Sequence, residues 1–189
     1  MTFDIAEAFC VKFGGSCNSL SPLGENIPTS SSSEKKLSPK SRILFGKFYI
    51  ELERPAKALE YFKSVTFAST QLDAEANAGM AKAEFMLGNI EASEKFSKEA
   101  LKINPDLVDG KVILAQVLSE QNYYKKAEVL FLSAMKASRK NTYPGRKFAE
   151  TLLRQNKLDD AENILKKTVI QNFEDGPSLE LFSDILFFS

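Results

Sequence analysis

The 189-residue sequence contains no histidine, no tryptophan and only two cysteines. Without histidine, the commonest general base and the commonest metal ligand are both missing. The cysteines, Cys10 and Cys17, are too few for a structural zinc site. They allow one disulfide, but free thiols in a cytoplasmic protein are the expected state. Neither sign of charge predominates: Lys plus Arg and Asp plus Glu number 25 each, so the basic excess typical of a nucleic-acid binder is absent. The pairs Lys35-Lys36, Lys125-Lys126 and Lys166-Lys167 read as solvated helix faces or tails. No apolar run approaches the length of a transmembrane helix. The opening stretch MTFDIAEAFCVKFGG has no basic n-region, and Asp4 and Glu7 interrupt it, so it does not read as a secretory signal. The glycines of KFGGS lack phosphate-loop spacing, and no paired acid stands with a plausible base. These absences predict a cytoplasmic protein that is not an enzyme. It is expected to carry no metal or cofactor, to bind no nucleic acid and not to insert into membranes.

What is present is ordinary for a globular chain, 43% apolar and 26% charged, but it is unevenly spread. Residues 14–38, GGSCNSLSPLGENIPTSSSSEKKLS, are dominated by Gly, Ser, Pro and Asn with isolated apolar residues. Such a segment buries too little surface to offset its ordering entropy and reads as a flexible linker. At about 25 residues it spans ~25–30 Å. Ahead of it, residues 1–13 form an apolar segment. Phe3, Ala6, Phe9, Cys10 and Phe13 fit helical spacing with Thr2 as N-cap, whereas Phe3, Ile5, Phe9, Val11 and Phe13 fit a strand. Helix and strand both stay open.

Beyond the linker the chain repeats itself. GNIEASEKFSKEALKI, NYYKKAEVLFLSAMKA and NKLDDAENILKKTVI are variants of one phrase. Ser93, Ala127 and Ala161 are spaced by 34 residues, and Ala58 stands 35 before Ser93. Four units follow, 39–72, 74–107, 108–141 and 142–175, with Asp73 as the extra residue. Each has two apolar-periodic stretches joined by a polar turn, as at Gly88-Asn89 and Asn122. Large apolar residues stand at position seven: Phe45, Met80, Leu114 and Phe148. Small ones stand at position eight (Gly46, Ala81, Ala115, Ala149) and at twenty (Ala58, Ser93, Ala127, Ala161). Position twenty-four carries Phe62, Ser97, Phe131 and Leu165, and twenty-seven Val65, Ala100, Ala134 and Thr168. Two helices approach closely only where side chains are small, and the large residues fill the space beside that contact. A further start, GPSLELFSDILFFS, begins at Gly176 with Pro177 suited to a first helical turn.

This pattern resembles the tetratricopeptide repeat family, whose unit is about 34 residues long. Pro105, in KINPDL, stands where the family carries its proline. The departures are the missing tryptophan at position four and a weak second unit, with Glu84 at eleven and Ser97 at twenty-four; Phe85 and Phe96 stand next door. The resemblance implies an all-α, right-handed α-solenoid of helix-turn-helix hairpins over residues 39–189. It would hold about four repeats plus a C-terminal capping or truncated helix, 176–189. The latter is apolar on most faces: Leu179, Phe182, Ile185, Leu186, Phe187 and Phe188.

The resemblance further implies a non-catalytic protein–protein interaction scaffold, with a partner peptide or protein held in the concave groove. Carrying the family's ligand-facing positions across gives Ile43, Lys47 and Ile50 from unit one and Ala78, Lys82 and Phe85 from unit two. Unit three supplies Val112, Gln116 and Ser119, and unit four Tyr143, Arg146, Glu150 and Leu153. With Lys47 and Lys82 at one end, an amphipathic helix or an extended peptide with an acidic end is the expected ligand. The family's grip on a terminal carboxylate is not expected. The matching positions hold Ile43, Lys47, Gly79, Asp109 and Ile113 or, one unit later, Ala78, Lys82, Ile113, Tyr143 and Lys147. The alternative reading is regulatory or self-assembling: the N-terminal segment occupies the groove, or the Phe-rich C-terminal helix mediates oligomerisation. LSPKSRILFGKFYIELERPAKAL also resembles repeats appended to bacterial two-component regulators, although no receiver domain accompanies it.

Overall fold

The computed structural model describes residues 37–65, 70–138 and 140–188. The apolar segment 1–13, the linker up to residue 36 and both cysteines lie outside them. All regular structure among the described residues is helical: α1 Pro39–Glu51, α2 Pro55–Lys63, α3 Thr70–Met86, α4 Ile90–Ile103, α5 Val108–Glu120, α6 Tyr124–Ala137, α7 Tyr143–Arg154, α8 Leu158–Gln171 and α9 Gly176–Phe188. Ser38 caps α1, its Oγ accepting from the Ser41 N–H at 3.1 Å, and Pro39 opens the first turn.

The four hairpin turns close alike. Position fifteen of each unit is left-handed: Glu53 at φ 55°, Gly88 at 79°, Asn122 at 65° and Asn156 at 57°. The N–H of the following residue then reaches back five residues. Arg54 donates to Tyr49 O at 2.9 Å, Asn89 to Glu84 O at 2.9 Å, Tyr123 to Leu118 O at 2.8 Å and Lys157 to Leu152 O at 3.0 Å. These are Schellman closures, which satisfy carbonyls orphaned at a helix end. Glycine and asparagine accept that backbone; Glu53 holds it against the clash of its Cβ.

Each helix packs on the next along the chain, from α1 on α2 to α8 on α9. In addition α1 packs on α3, α3 on α5 and α5 on α7, while the second helices make no comparable contacts with one another. A stack whose first helices touch and whose second helices do not must curve with the first helices inside. The result is a helical-repeat solenoid. The small residues at positions eight and twenty are buried in every unit, which lets each hairpin close. Phe131 of α6 stacks on Phe148 of α7, centroids 4.9 Å apart, within a core cluster shared by α5 to α9.

Two helix ends depart from the unit pattern. Val65 lies beyond α2, which ends at Lys63. The Ser64 hydroxyl donates to Tyr61 O at 2.6 Å, and such side-chain competition, followed by β-branched Val65, ends the helix early. Conversely α3 begins at Thr70, a turn ahead of Ala74, and absorbs Asp73 in its first turn, where an acidic residue suits the helix dipole.

Candidate binding groove

Four successive units contribute to one cavity of about 230 Å³ on the inner face. Lys47, Ile50 and Glu51 come from α1, with Phe62 of α2 behind them; Glu75, Ala78, Gly79 and Lys82 come from α3. Asp109 and Ile113 of α5 and Asn141 and Tyr143 at the entry to α7 complete it. The spacing of first helices explains the choice. One turn of α1, α3 and α5 presents every third or fourth residue inward, and the curvature brings the start of α7 within reach of α3. Lys82 Nζ lies 5.5 Å from the centroid of the Tyr143 ring, a cation–π contact between units two and four.

The floor is set by a close fit. Phe62 is fully buried, with Gly46 of α1 on one side and Gly79 of α3 on the other. A Cβ on Gly46 would lie 2.5 Å, and one on Gly79 2.3 Å, from the Phe62 ring. Both helices therefore approach the ring more closely than any side chain would permit.

The charges pair across units. Lys47 Nζ is 3.5 Å from Glu75, and Lys82 Nζ is 3.5 Å from Glu51. The lysines that gave the groove its basic end are thus each matched by a carboxylate on the same wall. Asp109 adds a third carboxylate and has no ion pair or side-chain hydrogen bond among the described residues. Burial, reinforced by the nearby Asp109 charge, pushes the Tyr143 phenol well above its usual range, so its hydroxyl stays neutral.

Of the thirteen groove positions read from the sequence, Lys47, Ile50, Ala78, Lys82 and Tyr143 line the cavity. Phe85, Arg146, Glu150 and Leu153 are half-buried outside it. Arg146 meets Glu150 at 3.7 Å and keeps its buried Nε without an acceptor. Ser119 and Gln116 are buried, Ser119 Oγ being bonded by Gln155 Nε2 at 3.0 Å. Ile43 is buried, and Val112 is fully enclosed in the core cluster. Neither reaches the groove surface, because packing of neighbouring helices covers both side chains. Glu51, Glu75 and Asp109 were missed, although they occupy positions thirteen, two and two of the same inner faces.

A family model described as tetratricopeptide repeat matches residues 74–107. The solved structure of TTC0263, a thermophilic TPR protein of Thermus thermophilus, is similar at a TM-score of 0.67 and 18% identity, over 79% of this chain and 82% of that one. Residues 74–107 thus match a tetratricopeptide repeat, and the array has the fold of such repeat proteins. Pseudomonas aeruginosa pilF is similar at a TM-score of 0.61 and 16% identity, over 79% of this chain and 68% of that one. YrrB, a TPR protein with an unusual peptide-binding site, is similar at 0.54 and 12% identity, over 76% and 74% of the two chains. No curated protein sequence matches.

The matched tetratricopeptide unit is the second, the one whose pattern departs most from the family's at positions eleven and twenty-four. The structure shows how it accommodates both departures. Glu84 is buried and accepts from Asn89 Nδ2 at 2.8 Å, tying the turn to α3. Ser97 is fully buried, its hydroxyl donating to Glu94 O at 3.0 Å. No described helix of the array is long and apolar enough to cross a membrane.

Proposed function

We propose that this protein is a non-catalytic scaffold that binds an extended segment of a partner protein along the inner face of the array. The observation that carries the reading is the cavity to which four consecutive units contribute, on the face where the first helices meet. Ile50, Ala78 and Ile113 supply apolar lining, and a few charged groups and Tyr143 supply orientation, the usual make-up of a recognition pocket. The fold is that of proteins that mediate protein–protein interactions, and the similar YrrB has a peptide-binding site. The proposed setting is the cytoplasm, where the thiols of Cys10 and Cys17 stay reduced; cell fractionation tests that placement. For the groove, affinity capture with the full chain is compared with capture by a Lys82→Glu, Phe85→Glu variant whose helicity and melting match the parent. Loss of the captured partner is expected, whereas equal recovery counts against the groove.

A second reading is favoured by the C-terminal end. Ile170, Phe173 and Leu179 stand 59%, 67% and 38% exposed around α8 and α9. Exposed apolar side chains of this kind suit end-on self-association. Light scattering over a concentration series decides it: growth in mass supports association, and a constant monomer mass rules it out.

A further inference from the structure

We propose that the cavity shared by the four units receives one basic side chain, Lys or Arg, of the bound segment. This rests on the groove reading above and names the chemistry that reading leaves open. Size comes first. At about 230 Å³ the cavity lies below the ~300–1,000 Å³ of pockets that enclose a whole small molecule. It admits a single long side chain while the rest of the segment lies along the groove.

Charge comes second. Glu51, Glu75 and Asp109 face Lys47 and Lys82 across the lining, so carboxylates exceed ammonium groups. Lys47 is engaged by Glu75 and Lys82 by Glu51, each at 3.5 Å, and Lys82 also lies over the Tyr143 ring. Asp109 is the group left without a counter-charge. The N-terminal dipole of α5 offsets roughly half a charge there, which is less than Asp109 carries. An acidic side chain entering this cavity would meet the uncompensated carboxylate and two lysines that each already stand beside a carboxylate. A cationic one would find Asp109 unmatched.

The lining also fits the rest of such a side chain. Ile50, Ala78 and Ile113 offer apolar surface for a methylene stem, with the charged head directed to Asp109. Tyr143, its hydroxyl held neutral by burial, belongs to the same lining and is a further acceptor there. A planar guanidinium would bond a carboxylate and a phenol at once, so arginine is the better occupant.

The test selects phage-displayed random dodecapeptides on the full-length chain and measures the winners by fluorescence anisotropy. Enrichment of sequences sharing an Arg or Lys is expected, with binding to Asp109→Asn weakened about tenfold, the scale of one charge-assisted hydrogen bond. Asp109→Glu should recover most of that loss. Replacing the shared Arg by citrulline should cost about tenfold on the parent chain and little on Asp109→Asn, because the two changes remove the same contact. Groove-dependent winners without a basic residue, or equal citrulline losses on both chains, overturn the proposal and leave the groove reading standing. No groove-dependent winners at all sinks the groove reading itself.

Discussion

Position twenty-four is occupied by Phe62 in the first unit and by Ser97 in the second, and both side chains are fully buried. Around Phe62 the neighbours are emptied: Gly46 and Gly79 bring bare backbone onto the ring. The second hairpin closes on small residues throughout: α3 buries Ala74, Ala76, Ala78, Ala81 and Ala83, and α4 buries Ser93, Ser97 and Ala100. A large residue at position twenty-four is thus licensed where both neighbouring helices offer bare backbone, and a small one suffices where two helices meet directly on small side chains.

That contrast can be broken most sharply at its large member. Phe62→Ala should destabilise the array by about 3–5 kcal/mol, because two glycines leave no side chain to collapse into the hole; urea denaturation reads the loss. Gly79→Ala attacks the same fit from the other side and should cost about 1–3 kcal/mol by overpacking. Combined with Phe62→Leu, that cost should shrink, since the two sites share one contact. In the small-residue hairpin, Ser93 Oγ donates to Ala81 O at 2.8 Å inside the contact. Ser93→Ala keeps the volume and loses the bond, so about 1 kcal/mol is expected from the same denaturation curves.

Acid should act on the far end. Burial alone would raise the Asp175 carboxyl, but hydrogen bonds from Ser178 and Thr142 and the Arg146 charge outweigh it and hold it below the ordinary value. A carboxyl with a lowered folded-state pKa contributes stability that is complete above the unfolded value, near pH 4, and is lost as pH falls through the folded one. Docking of α9 on α8 should thus loosen below pH 4, and Asp175→Asn should flatten the acid limb of a melting-temperature profile. The smallest effect is expected at Glu53→Gly. Relief of about 1–2 kcal/mol of left-handed strain, less about 0.5–1 kcal/mol of chain entropy, should leave a stabilisation of up to about 1 kcal/mol. Thermal melts would show it.

The helical-repeat fold was legible because it rests on local rules. Small residues recur at positions eight and twenty wherever a hairpin must close, and Gly88 and Asn122 mark turns whose backbone they suit. The cavity lining was legible only by position. Periodicity says which residues face inward, and so it finds Lys47, Lys82 and Tyr143, but it does not say which charges meet. The pairing of Lys47 with Glu75 and of Lys82 with Glu51 depends on the offset between neighbouring first helices, which no spacing within one unit encodes. The lysines that read as a basic end each stand beside a carboxylate. Val112 and Ile43 show the same limit, since depth behind a curved wall depends on how tightly successive helices press together.

A stack of repeats with only nearest-neighbour contacts melts like a zipper, from its ends, each unit answering only to the next. The contact of Lys82 with the Tyr143 ring skips a unit, and the cavity beside it has walls from all four. That contact braces the second unit to the fourth across the third, so the rungs around the cavity answer to more than their nearest neighbours.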